Sequence, residues 1–243
     1  MRIAFLCMEG VFSVLPLEAL LAAGHDVRLV MRPVGGMNTR TMPVLRRHRG
    51  FDVTVKRFFS SRGSDAAVNP LAVAARNDIP AYLVGDASAP RVRALFARER
   101  IDLIVIAFFN QLLRAELLTQ VRLGAVNLHP SALPRGRGPA PLFWTFHDAE
   151  PRTALTVHRL DARADAGAIL VQEPVPIPFG CAGEDLVDTL AAVGARLIVP
   201  AVEVAAQGLQ SGSSLDQRHT RPAATHAGAS PASRPGPSAQ RAV

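Results

Sequence analysis

Cysteine is nearly missing from this sequence, with 2 among 243 residues, Cys7 and Cys181. A disulfide framework and a paired-cysteine zinc site each need more cysteines, so neither is expected. We also expect no apolar segment long enough to span a membrane. The start, MRIAFLCMEG, has one arginine, a short apolar run and no small-residue cleavage site, which favours a first strand over a signal peptide. These absences predict a cytoplasmic protein without a membrane partner.

Two enzyme motifs are also missing. A dinucleotide-binding dehydrogenase carries a glycine fingerprint directly after its first strand, and MEGVFSVLP has none. A serine hydrolase with a nucleophile elbow needs G-x-S-x-G, which does not occur. Four histidines lack neighbouring acids or cysteines at metal-ligand spacing, so we expect no metal and interpret each as a surface residue or a hydrogen-bonded core residue: His25, His48, His147 and His158.

Acidic residues are outnumbered, and the formal charge is +7, carried almost entirely by arginines. This charge is compatible with nucleic acid or phosphate-bearing partners but identifies neither. The segment from Pro33 to Asp65 concentrates basic residues and is long for a connection, which predicts a functional loop or a partly ordered insertion, with a solvated basic loop as the alternative. Residues 208–243 hold almost no large apolar side chain, so they are expected to form a disordered tail after a domain of residues 1–207.

What the sequence does contain is an alternation of short apolar runs with helical patterns. RIAFLC and DLIVIAF are typical of strands buried on both faces, and PRVRALFARERI has Pro90 placed for the first turn of a helix. This order predicts an α/β fold with an open, mostly parallel Rossmann-like sheet and helices on both faces. Phe143 and Trp144 follow in a helical stretch and are expected to lie in the core.

The segment VNLHPSALPRGRG places two polar side chains at the end of the strand GAVNLH. Residues i and i+2 of a strand face the same side, so Asn127 and His129 should point together into the crevice beyond the carboxyl ends of the strands. An amide and an imidazole N–H aimed at one point can stabilise an oxyanion. The alternative is that both residues merely cap the strand end.

A second segment, TALTVHRLDARADAGAILVQEPVPI, carries two aspartates, Asp161 and Asp165, before the predicted strand AILVQEPV. A carboxylate beside a histidine favours the imidazolium, so we expect a raised pKa for the histidine of the site. An Asn, a His and an Asp together could stabilise a tetrahedral intermediate and move protons during acyl transfer to an amine.

The paired segments NLHPSALPRGRGPAPLFW and LTVHRLDARADAGAIL resemble the folate-dependent formyltransferases. The resemblance covers roughly Arg2 to Gln207, is strongest from Gly124 to Ile177, and rests on two motifs at a specific spacing. It implies that residues 1–207 are a formyltransferase catalytic domain. It also implies the reaction: an acceptor amine attacks the formyl carbon of 10-formyltetrahydrofolate and tetrahydrofolate leaves, without a metal or a covalent enzyme intermediate.

The resemblance implies a role for each matching position. Asn127 matches the residue that stabilises the oxyanion, His129 the catalytic histidine, and Asp165 the aspartate that tunes that histidine and helps shuttle protons. The implied folate-binding positions are Gln111, Leu112, Leu113, Ser131, Ala132, Leu133, Pro134, Asp161, Ala162, Arg163 and Ala164. Arg135 and Arg137 are predicted to meet an acceptor phosphate or the folate glutamate, with a solvated turn as the alternative.

The acceptor amine is left open by the sequence. The chain departs from the family pattern at Ala132, at Gly136 and at FFN (residues 108–110), positions that bear on the acceptor more than on the chemistry. HRLDARADAGAIL is similar to the enzyme that acts on UDP-aminoarabinose, which favours a nucleotide amino sugar or another small amine. One alternative is methionyl-tRNA, which the basic segment could contact through phosphates, although a disordered tail is expected where the tRNA enzymes carry a β-barrel. The other is a non-enzymatic folate-fold protein that binds RNA or a partner through the basic segment and the tail.

Overall fold

The computed structural model describes residues 1–34, 45–48 and 68–211, and side chains within 1–34 and 68–207. Within these ranges the chain forms eight strands and six helices. The strands are β1 (Arg2–Cys7), β2 (Asp26–Pro33), β3 (Leu45–His48), β4 (Ala81–Val84), β5 (Leu103–Ala107), β6 (Ala125–His129), β7 (Arg152–Arg159) and β8 (Ile169–Pro176). The helices are α1 (Val11–Ala22), α2 (Pro70–Arg76), α3 (Pro90–Glu99), α4 (Ala115–Leu118), α5 (Pro141–His147) and α6 (Gly183–Ser211).

The strands form one sheet in the order β3-β4-β2-β1-β5-β6-β7-β8. The five central strands, from β4 to β6 in that order, run parallel, while β3 at one edge and β7 and β8 at the other are antiparallel to their neighbours. The predicted fold class, an open and mostly parallel α/β sheet, is therefore confirmed. The antiparallel β7–β8 pair places the second sequence motif directly beside β6.

The two faces of the sheet are covered by different helices. Alternate residues of β1 separate onto the two faces, with Ile3 and Phe5 in the core cluster that contains α1, α2 and α6 residues, and Ala4 and Leu6 in the cluster that contains α3 and α4 residues. All five residues of β5 are buried, as a strand with both faces covered requires.

We expected no apolar segment long enough to span a membrane, and helix α6 departs from that expectation. Its residues 183–207 are long and apolar enough to cross a membrane by length and composition, although half of the most apolar window is buried inside the fold. Leu186, Leu190 and Ile198 lie in the core cluster with α1, which gives this helix the apolar face of a core helix. Its backbone continues to Ser211, so residues 208–211 of the predicted tail are helical, and the rest of that tail lies outside the described residues.

The basic segment contributes one strand that the sequence analysis did not predict. β3 pairs antiparallel with β4, with Leu45 opposite Val84 and His48 opposite Ala81. The remainder of the segment from residue 35 to residue 65 lies outside the described residues.

The expectation that Phe143 and Trp144 lie in the core is wrong. All seven residues of α5 are at least partly exposed, and Phe143 is 59% exposed. The Phe143 and Trp144 rings contact each other edge to face at 5.1 Å between centroids, and the Trp144 ring contacts His147 at 5.5 Å. The rings of Phe143, Trp144 and His147 thus contact one another, and Leu142 is partly packed against the core.

Candidate active site

The site lies at the carboxyl end of β6, where β7 runs alongside. Asn127 and His129 alternate with the buried Leu128 on β6, and the antiparallel register places His158 opposite Asn127 and Thr156 opposite His129. His129 and His158 are both buried, and Asn127 is half-buried. The ligand-binding end of the parallel sheet therefore carries an amide and two imidazoles on neighbouring strands.

Asp165 reaches this group from the loop between β7 and β8. Its Oδ1 lies 3.5 Å from Nε2 of His158 and 3.8 Å from Nδ1 of His129, and its Oδ2 accepts a hydrogen bond of 2.9 Å from the backbone N–H of Gly138. Its φ of 49° lies in the left-handed region, which L-residues rarely adopt and which is common at functional sites. The structure thus brings together Asn127, His129 and Asp165, as predicted, while Asp161 stays exposed on the loop.

Backbone carbonyls determine which ring nitrogen of each histidine carries a proton. Nε2 of His129 lies 2.9 Å from the carbonyl oxygen of Gly136, and Nδ1 of His158 lies 2.8 Å from that of Arg159. A carbonyl only accepts, so these two nitrogens donate. The opposite nitrogens, Nδ1 of His129 and Nε2 of His158, both face the Asp165 carboxylate.

The expectation of a raised histidine pKa is wrong for His129. Burial lowers its pKa from 6.5 by more than the nearby charge of Asp165 and the hydrogen bond to Gly136 raise it, and His158 lowers it further. For Asp165, burial raises the pKa, but the contact with the His158 ring, the charge of His129 and the N–H of Gly138 together hold it at about 2. Near neutral pH the site therefore pairs a neutral His129 with an ionised Asp165.

The loop after β6 is held by its own Ser131 and by side chains from two strands. Ser131 donates from Oγ to the carbonyl of Arg135, Thr156 on β7 donates to the carbonyl of Ser131 at 2.6 Å, and Gln172 on β8 donates to the carbonyl of Leu133 at 3.0 Å. Gly136 is required in this loop, because its φ is +72° and a Cβ there would lie 2.8 Å from Cβ of Ser131. The loop therefore keeps in place the Gly136 carbonyl that holds the ring of His129.

The predicted folate positions lie on three segments around this loop. Gln111 is held inward, since its side chain accepts from the N–H of Ala87 and donates to the carbonyl of Gly85, each at 2.9 Å. Leu112 is 84% exposed, and Leu113 packs partly against the second core cluster. The remaining members differ in exposure: Ser131 and Leu133 are buried, Ala132 and Pro134 are half-buried, and Asp161, Ala162, Arg163 and Ala164 are exposed. The half-buried and exposed positions have surface available for a ligand, and the folate role of all of them stays a prediction.

Phe108 stands directly after β5, on the same edge of the sheet. It is 52% exposed and has a φ of 57°, so an aromatic residue occupies the left-handed region at the end of a central strand. Strained backbone of this kind is retained where the surrounding structure, or a ligand, requires it. Phe108 is also the first residue of FFN (residues 108–110), where the sequence departs from the pattern of the formyltransferases that it resembles.

The two arginines predicted to bind the acceptor already have partners. Arg135 is exposed and pairs with Glu150 at 3.2 Å, while Nε of Arg137 donates to the backbone carbonyl of Asp165 at 3.1 Å. Arg137 thus supports the loop that carries Asp165. Their acceptor-binding role stays a prediction.

A metal could be held by His129, His158 and Asp165, whose donor atoms all lie within 4.8 Å of one another. A tetrahedral ion with bonds of about 2.0–2.2 Å brings its ligand atoms to roughly 3.4 Å apart. The carboxylate oxygen lies 3.5 Å from the ring nitrogen of His158 and 3.8 Å from that of His129, close to the separation that such an ion requires.

His158 is the residue of this cluster that the sequence analysis missed. It was interpreted as a surface or core histidine, and it is indeed buried, but its ring contacts both Asn127 and Asp165. The one signal in the sequence is a histidine near the end of the apolar strand TALTV. Its role depends on the register between β6 and β7, which no local pattern reveals.

The fold and the site define an open α/β domain with an Asn–His–His–Asp cluster at the ligand-binding end of its sheet. A sequence profile described as Formyl transferase matches residues 57–202. That match covers more than half of the chain, and the protein belongs to the formyl transferase family.

Two curated relatives are methionyl-tRNA formyltransferases. The one from Acidiphilium cryptum is 33% identical over 208 residues, covering 84% of this chain and 60% of the relative, and the one from Bordetella pertussis is 34% identical over 200 residues, covering 81% and 59%. The chain thus spans about three-fifths of the length of these relatives.

Solved structures share the fold at lower identity. Glycinamide ribonucleotide transformylase 1 from Symbiobacterium toebii has a TM-score of 0.64 at 21% identity, covering 86% of this chain and 88% of that one. A formyltetrahydrofolate deformylase from Pseudomonas syringae pv. tomato has a TM-score of 0.60 at 17% identity, covering 83% and 59%. At these identities the likeness concerns the fold alone.

Proposed function

We propose that this chain transfers a formyl group from 10-formyltetrahydrofolate to an amine, and that the amine belongs to methionyl-tRNA. The observation that carries the proposal is the meeting of Asn127, His129 and Asp165 at the ligand-binding end of a formyl transferase sheet. Family membership supplies the reaction class, and the cluster supplies groups suited to that reaction.

In this proposal the side chains divide the chemistry between them. The acceptor amine attacks the formyl carbon, and the amide N–H of Asn127 donates to the oxyanion that develops. His129 is neutral near pH 7 because burial lowers its pKa, so Nδ1, the ring nitrogen that carries no proton and faces Asp165, can hold the proton that the attacking amine loses. The ionised Asp165 beside it stabilises the resulting imidazolium, which returns the proton to the departing folate nitrogen.

The choice of acceptor follows the relatives. Both curated relatives described above are methionyl-tRNA formyltransferases, which supports methionyl-tRNA over the nucleotide amino sugar first expected. The formal charge of +7 is compatible with this acceptor, because cationic side chains release counterions from nucleic acid phosphates. The amino sugar is kept as the competing acceptor in the test.

The test is mass spectrometry of acceptors after incubation with 10-formyltetrahydrofolate. The panel contains methionyl-tRNA, UDP-amino sugars and other nucleotide amino sugars. We expect one formyl group on methionyl-tRNA, lost in H129A and retained in H25A, a matched control at the amino end of β2. A formyl group on an amino sugar and not on methionyl-tRNA would contradict the proposed acceptor.

A failure of the reaction would be interpreted with a folate-binding measurement on the same protein. If no acceptor gains mass and folate does not bind, the transferase proposal is wrong. Strongly salt-dependent RNA binding under those conditions would favour the non-enzymatic alternative.

A further inference from the structure

We propose that His158 is a positioning residue that sets the orientation of the Asn127 amide. This inference rests on the proposed function, in which that amide donates to the oxyanion. The antiparallel register between β6 and β7 places the two residues opposite each other, and Nε2 of His158 lies 3.3 Å from Nδ2 of Asn127.

The tautomer of His158 is set by its backbone partner. Nδ1 lies 2.8 Å from the carbonyl oxygen of Arg159, which has no proton to give, so Nδ1 carries the proton. In the neutral ring Nε2 then carries a lone pair and no proton, and it accepts a hydrogen bond from the Asn127 amide nitrogen.

The unprotonated Nε2 of His158 determines which way the Asn127 amide points. If the Asn127 oxygen were turned toward His158, it would face the Nε2 lone pair, with the Asp165 carboxylate 3.5 Å from that same nitrogen. Three acceptors would then meet without a proton between them, which is costly in a buried site. With the amide nitrogen toward His158, one N–H is used there and the second is left for the oxyanion.

Burial separates this role from substrate contact. The side chain of His158 is 1% exposed, so a substrate in the crevice cannot reach it, whereas Asn127 is half-buried. His158 therefore acts through Asn127, as an outer group that orients an inner one.

The first experiment measures the tautomer without relying on activity. Two-bond proton–nitrogen correlations of the ¹⁵N-histidine-labelled wild-type protein near pH 7.5 should show His158 protonated at Nδ1 alone. The signals are assigned by their loss in H158Q, and N127A should shift the Nε2 resonance. Protonation at Nε2, or an Nε2 resonance that does not shift in N127A, would overturn the proposal. This outcome does not depend on whether any acceptor is formylated.

The second experiment uses kinetics in two backgrounds. H158L, which has no acceptor, should lower kcat by roughly 10- to 100-fold with little change in the KM for 10-formyltetrahydrofolate, as expected for a mis-oriented oxyanion donor. H158Q places an amide oxygen near the position of Nε2 and should recover a substantial part of the loss.

The N127A background distinguishes positioning from a merely structural role. There, H158L should lower kcat by less than about 2-fold further, because the group it orients is already gone. A full further loss in N127A, or equal losses in H158L and H158Q with both variants folded, would contradict the inference. If H158L does not fold, H158Q in both backgrounds and the tautomer measurement still decide it.

Discussion

Gly167 offers the sharpest test of how the β7–β8 loop holds the site. It lies two residues after Asp165, and a Cβ built on it would lie 1.9 Å from the carbonyl oxygen of Arg159 and 2.8 Å from the carbonyl carbon. Side-chain carbons essentially never come within 3.0 Å of such atoms, so G167A requires the backbone to shift by about 1 Å. Both partners are main chain, so no side-chain rotation can relieve the overlap.

The size of the effect follows from this displacement. Overpacking of a close-packed site costs about 1–3 kcal/mol, and with backbone on both sides we expect G167A to lower the free energy of unfolding by about 3 kcal/mol. For a domain of this size each kcal/mol lowers Tm by about 2–4 °C, so Tm should fall by about 6–12 °C. A shift of about 1 Å at Asp165 should also lower kcat by roughly 100-fold.

The assay is urea unfolding and thermal melting, with kcat measured on the folded protein. The matched control is G183A at the start of α6, where the nearest atom to a new Cβ is Cε2 of Phe146 at 3.9 Å, an ordinary contact. That variant should change the free energy of unfolding by no more than about 0.5 kcal/mol, toward greater stability if at all. If G167A melts within 2 °C of wild type and retains its kcat, the proposed close approach does not hold the loop.

Three further predictions concern other elements. Since burial lowers the pKa of His129 below 6.5, the unfolded chain binds more protons there, and the free energy of unfolding should fall as pH drops below about 6.5. Urea titrations at pH 5–8 should show that this free energy depends less steeply on pH in H129Q than in wild type. The same slope in both proteins would refute the assignment. F108G relieves a left-handed residue and should stabilise the fold by about 0.5 kcal/mol in urea unfolding, and a lower unfolding midpoint would contradict the strain at this position. R159M deprives the carbonyls of Leu123 and Ala205 of guanidinium donors at 3.0 and 2.8 Å and should cost about 2 kcal/mol in urea unfolding, a prediction that an unchanged midpoint would contradict.

The central strands and two of the three proposed catalytic residues could be predicted from local sequence. DLIVIAF predicts a fully buried strand because only a strand covered on both faces keeps such a run from water, and β5 is buried throughout. The spacing of Asn127 and His129 on one strand places both at its carboxyl end, since strand side chains repeat every second residue. Both conclusions need nothing beyond neighbours in the chain.

Residues that depend on packing between distant elements could not be predicted in this way. The two aspartates of the second motif look alike in sequence, and only the closed loop brings Asp165 to the histidines while leaving Asp161 exposed. Phe143 and Trp144 were expected in the core, yet Phe143 is 59% exposed and Trp144 is only half-buried.

The amino-acid sequence by itself determined the parallel sheet and the presence of an amide and an imidazole at one strand end, because strand periodicity and apolar runs are local properties. The family was indicated by the resemblance of two motifs to the formyltransferases. The tertiary structure alone decided the partner and the protonation of those groups. Burial lowers the pKa of His129 where a neighbouring carboxylate alone would have raised it. The register of β7 on β6 sets His158 against Asn127, and both effects arise from contacts between residues that are far apart in the chain.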